Sequence, residues 1–216
     1  MAKTHKISDS EIITFYMDYL VEHNCKPDSI EDFAQLHQFD DVIFYEHFTS
    51  FKDLEKTIYK LLFENSLAIL IETPEYFSYS KKDKLLSFYY TFFENLALNQ
   101  AYVKLSLKGF ENQLKALSVF SLLKSSFTAF IEDLDIETFN LNVDGIENIQ
   151  KKTIKESAWI QLLFTMKFWL DDTSEDFEKT DVFIEKAITT SFELLDTKSL
   201  HNIIDFAKFL YKEKIQ

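Results

Sequence analysis

One cysteine, five histidines and no arginine are what this 216-residue chain offers to chemistry. Cys25 has no partner for an internal disulfide and no histidine arrangement to activate it, so it reads as a small buried hydrophobe. His37 and His47 lack companions at zinc-ligand spacing, and no metal site is predicted. His201 with Asp205 is an i, i+4 pair of the kind that makes a weak solvated contact on a helix. Asp171 and Asp172 fall at a predicted helix end and read as a polar connection. Neither Gly109 nor Gly145 sits in a phosphate-cradling context, which excludes P-loop and dinucleotide chemistry. No nucleophile–base constellation can be assembled, so the chain reads as non-enzymatic and without cofactor.

The elements that would position these groups are helices. Two glycines and two prolines cannot supply the turns of a sandwich or barrel. A composition 46% hydrophobic and 27% charged suits a folded chain, and no apolar run approaches the roughly 18 residues of a membrane span. With no apolar signal core at the N-terminus either, a cytoplasmic protein is expected, without membrane insertion. All 23 basic residues are lysine, against 36 acids, for a net charge of −13. Arginine is the usual bidentate reader of guanine, and its absence counts against a nucleic-acid role.

Capping residues mark the helix starts. Ser8 with Glu11 opens a helix ending near Asn24; Ser29 with Asp32 opens a short one; Asp40 caps another through Phe48; Ser50 with Asp53 opens a long one reaching Ile71. Apolar periodicity then predicts helices over 80–98, 100–108, 110–134, 147–171, 175–195 and 198–213, with a loop over 140–145. The prediction is all-α, about ten helices. Ala158–Leu170 is apolar on almost every face, as in a helix sandwiched between others.

Three short capped helices before a long one form a helix-turn-helix pattern. Residues 29–54, SIEDFAQLHQFDDVIFYEHFTSFKDL, resemble the N-terminal module of the TetR family of bacterial transcriptional regulators. The resemblance is carried by the Ser29–Ala34 opening, Phe44-Tyr45, His47-Phe48, Ser50 and Leu54. It implies a helix-turn-helix module over 1–50, a connecting helix over 51–72 and an effector-binding and dimerisation domain over 73–216. It also implies a homodimer through about 154–196 and an apolar small-molecule or lipid effector. Phe44, Tyr45, His47 and Phe48 are expected to pack the module together, leaving Asp40, Asp41, Ile43 and Glu46 as its surface. The departures concern charge and backbone. Where the family usually has a turn glycine this chain has Gln38, and its reader helix carries Asp41, Val42 and Ile43 where a lysine, a small residue and a threonine are usual.

Residues 29–51 contain five acids and no lysine, so Lys52 and Lys56 are the nearest candidates for phosphate contact beyond them, with Lys26 on the other side. A face of that sign opposes DNA. Three functions stay open: a dimeric regulator, a TetR-fold accessory protein binding a lipid or partner without DNA, and an interaction module for a basic partner. Tyr89, Phe93, Phe120, Phe127, Trp159 and Phe168 are either solid core or the lining of an apolar effector pocket.

Overall fold

The computed structural model describes residues 7–108, 117–136 and 146–196 of the chain. Regular structure among them is helical throughout: α1 (Asp9–His23), α2 (Ile30–Leu36), α3 (Asp41–His47), α4 (Phe51–Ile71), α5 (Lys81–Leu98), α6 (Gln100–Ser106), α7 (Ser121–Asp133), α8 (Ile146–Asp171) and α9 (Glu178–Asp196). One-turn 3₁₀ segments, Pro74–Ser78 and Glu175–Phe177, precede α5 and α9. The expected loop at 140–145 and helix at 198–213 lie outside the described residues, as does the start of the segment expected at 110–134.

The capping residues do what their spacing predicts. Ser8 and Glu11 satisfy each other's backbone N–H groups in a reciprocal box. The Ser29 hydroxyl accepts from the Asp32 amide at 3.0 Å, the Asp40 carboxylate from the Val42 amide at 3.0 Å, and the Ser50 hydroxyl from the Asp53 amide at 3.2 Å. At the other end of α1, Asn24 turns left-handed at φ 56° and closes the helix on the Leu20 carbonyl.

Two compact units result, one of Met1–Ser66 with Phe92–Ser126, the other of Leu67–Thr91 with Phe127–Gln216. In the first, α2 and α3 have seven residues each, too few to persist without tertiary contacts. Phe33 supplies those contacts. Fully buried, it meets Tyr16, Phe39, Phe44 and Phe51 edge-on at ring-centroid distances of 6.2, 5.9, 6.3 and 5.5 Å. Each such pair contributes about 0.5–1.5 kcal/mol beyond its buried area.

Two expectations are corrected at α3, and one before it. Phe44 and Phe48 are buried as predicted, whereas Tyr45 is 55% exposed and His47 is exposed as well. On so short a helix the i, i+4 pair Phe44/Phe48 defines the buried stripe, and Tyr45 and His47 fall off it. Cys25 is exposed, because it follows the left-handed Asn24 in the link between α1 and α2.

Gln38, in the turn between α2 and α3, has φ 59°. The left-handed conformation costs a residue with a Cβ roughly 1–2 kcal/mol, which glycine avoids. Gln38→Gly is therefore expected to raise unfolding stability by about 1 kcal/mol in a denaturant titration. A midpoint that stays put or falls would show that the Gln38 side chain itself holds the turn.

Candidate functional site

The exposed side of α3 is the expected one at Asp40 and Glu46 and differs at Asp41 and Ile43. Asp40 caps the helix, Asp41 and Ile43 are half-buried, and Glu46 is exposed. The most exposed apolar residues of the helix are Val42, at 60%, and Tyr45. At 3.6 residues per turn, Tyr45, Val42 and Glu46 occupy an arc of roughly 100° opposite Phe44, with Asp41 beside Tyr45. Placing Phe44 and Phe48 on the buried stripe would have exposed Val42 and Tyr45 from sequence alone.

Electrostatics around this face are set by helix ends. The N-terminus of a helix is a natural anion site, because its first N–H groups are unsatisfied and the dipole is positive there. Here those ends carry carboxylates of their own: Asp32 on α2, Asp40 on α3, and Asp53 on α4, where it also accepts from the Thr49 amide at 3.1 Å. Lys26, the nearest cation before α2, is committed elsewhere. Its ammonium pairs with Oε1 of the buried Glu55, the oxygen that also accepts from the Tyr16 hydroxyl at 2.7 Å. Burial first, and then the adjacent Glu55, push the Tyr16 phenol above its usual range, which keeps it protonated as the donor. Lys52 is exposed and Lys56 half-buried on α4. His37, half-buried and stacked on Phe15 at 4.4 Å, is pushed down by burial against the opposing pull of Asp18 and Glu22.

In the second unit, Tyr89, Phe127 and Trp159 come together, with Phe127 at 6.3 Å from Tyr89 and 6.4 Å from Trp159. Phe93 and Phe120 belong to the first unit, where Phe120 meets Tyr59 edge-on at 4.8 Å. Phe168 is 36% exposed on α8 and stacks on Phe183 of α9 at 4.7 Å. One side of the apolar run of α8 is buried, through Trp159, Leu162, Met166 and Trp169. Its other side is open: Ile160 is 51% and Phe164 66% exposed, so the helix is not enclosed within the chain as its composition predicted.

Asp172 fixes how α9 leaves α8. Its Oδ1 accepts from the Ser174 amide and hydroxyl at 2.9 and 2.6 Å, and its Oδ2 from the Thr180 amide and hydroxyl at 2.9 and 2.7 Å. The polar connection read from the sequence is thus a buried, fully bonded corner. It holds Asp176 and Phe177 at φ 46° and 60°, with Phe177 against the buried Trp169.

A short-helix module with a helix-turn-helix start, followed by a longer-helix unit with an open apolar face, defines an all-α protein of regulator architecture. More than half of the chain, residues 84–210, matches a family model described as "Tetracyclin repressor-like, C-terminal domain". The chain belongs to that family, the TetR family. Neither the curated proteins nor the solved structures contain a match to it. Among the described residues no helix is long and apolar enough to cross a membrane, and no cluster of three or more His, Cys, Asp or Glu is placed to hold a metal ion.

The Asp172 corner has a pH signature. Burial opposes its charge, and the hydrogen bonds from Ser174 and Thr180 outweigh burial and hold the carboxyl at about 2. A carboxyl whose folded value is depressed stabilises fully above its unfolded value near 3.9, and loses that contribution as pH falls toward 2. Asp172→Ala is expected to cost about 1–2 kcal/mol at neutral pH, as removal of a helix cap does. The deficit relative to the unsubstituted protein should shrink between pH 4 and 2 in denaturant titrations. A deficit that is constant with pH would contradict this account of the corner.

Proposed function

We propose that this TetR-family protein is a dimeric, non-catalytic regulator that acts in the cytoplasm without docking its helix-turn-helix on DNA. The observation that carries the reading is the charge of the α2–α3 face. Residues 29–51 hold five acids and no cation, and carboxylates occupy the helix ends that would otherwise receive phosphate. Lysine and arginine contacts to phosphate supply most sequence-independent DNA affinity. A carboxylate within about 5 Å of a phosphate opposes binding by about 1 kcal/mol or more before salt screening. The second unit is then the working part. Tyr89, Phe127 and Trp159 form an aromatic cluster suited to an apolar small molecule or lipid, and the family match covers all three.

Dimerisation follows from the open stripe on α8. Ile160, Phe164 and Phe168 recur at i, i+4 and i+8, and Val182 and Leu194 of α9 are also about half-exposed. Packing two such helix pairs against a second copy would bury this surface in a four-helix seam within residues 154–196.

Fluorescence anisotropy with duplex fragments, including the region upstream of the gene, is expected to show no binding to random DNA at physiological salt and at most weak binding elsewhere. Tight, salt-sensitive binding that Lys52→Ala or Lys56→Ala weakens would restore an operator-binding repressor. For the seam, sedimentation should give two chains for the unsubstituted protein and one for Phe164→Asp, with the helical signal unchanged. A protein that is monomeric at every concentration would remove the dimer.

A further inference from the structure

We propose that the outward face of α3 docks a basic, amphipathic helix of a partner protein. The inference rests on the reading that this face is released from DNA, and it names what the face binds instead.

The face has the chemistry of a protein interface. Val42 and Tyr45 stand one helical turn apart, and both are more than half exposed. Tyr45 touches the hub through Phe44, edge-on at 5.9 Å, and most of both side chains stays in water. Tyrosine is enriched at interface centres, since it covers a large apolar area with little side-chain entropy to lose. Acids flank this pair: Asp41 beside Tyr45, Glu46 beside Val42, and Glu31, Asp32 and Asp40 elsewhere on α2 and at the α3 cap.

Charge selects the occupant. Nucleic acid and anionic lipid are repelled by this rim, and a second copy of the chain, at −13, brings acids to acids. A helix with two or three apolar residues at i, i+3 and i+4 and lysine or arginine on both flanks complements the apolar pair and the rim together. Helix against helix also fits the shape, because Val42 and Tyr45 form a ridge along α3 and helices pack ridge into groove. The basic flanks speed encounter and align the partner, while Tyr45 and Val42 set how long it stays.

The probe is an 18-residue synthetic peptide of leucine and lysine in amphipathic helical order, with a second peptide of the same composition in scrambled order. Titrated into the isotopically labelled full-length protein, the ordered peptide should shift backbone amide resonances of α3 and its flanks. It should bind at least tenfold more tightly than the scrambled one. Tyr45→Ala, which changes no charge, and Glu46→Lys should each weaken binding at least tenfold while leaving the melting temperature within a few degrees. Shifts spread over the acidic surface, or Tyr45→Ala binding like the unsubstituted protein, would overturn the proposal. A further arm adds unlabelled duplex DNA: displacement of the peptide from α3 would count against the DNA-free reading itself. Absence of both ligands from α3 would remove only the helix-docking inference.

Discussion

The first unit depends on one buried ring. Seven-residue helices lose more backbone entropy than their own hydrogen bonds return, so α2 and α3 form only if something outside them fixes their positions. Phe33 does this by offering both edges and faces to rings from α1, α3, α4 and the turn before α3. The arrangement is strong enough to hold a left-handed glutamine at position 38 where the backbone prefers glycine. Removing the hub would take the turn, both short helices and the α3 surface with it.

Because the hub uses one stripe of each short helix, much of the rest of their surface stays exposed. That separation lets a module keep its shape while its outer chemistry changes. The carboxylates at the starts of α2, α3 and α4 act on both sides of it. Inward, Asp40 accepts from the Val42 amide, Asp53 from the Thr49 amide and Asp32 from the Ser29 hydroxyl, and all three oppose the positive helix ends favourably. Outward, they place negative charge at helix ends whose dipoles would otherwise favour an anion. A single choice of residue thus caps the module and gives its surface the negative charge on which the DNA-free proposal rests. Lys26, itself exposed, pairs with the buried Glu55, which also accepts from Tyr16.

The sequence carried the helix starts because capping is local. Ser8, Ser29, Asp40 and Ser50 each reveal their role within three residues. It carried the family as well, through the same module, and the family model then matched the other end of the chain. What it hid was set by contacts remote in sequence. Tyr45 and His47 look like core in a run of aromatics, and the choice of Phe44 and Phe48 as the buried i, i+4 stripe, fixed by Phe44 meeting Phe33, puts them outside. Asp172 looks like a solvated helix end until Thr180, eight residues on, closes on its second oxygen. The exposure of Phe164 was equally hidden, because a helix apolar on all sides has the same sequence whether its second cover is the same chain or another copy.

The α8–α9 corner positions that exposed face. Asp176 and Phe177 sit in left-handed backbone, at a cost of roughly 1–2 kcal/mol each, and a flexible connection would have avoided it. The four hydrogen bonds on Asp172 and the packing of Phe177 on Trp169 hold the strained geometry in place. The strain brings α9 back along α8 so that Phe183 stacks on Phe168 beside the exposed Phe164. The corner is held within the chain by those hydrogen bonds and that packing, and the apolar face it positions stays exposed. Burying that face against a second copy, as the proposed dimer would, gains about 25 cal/mol per Å² of apolar surface removed from water.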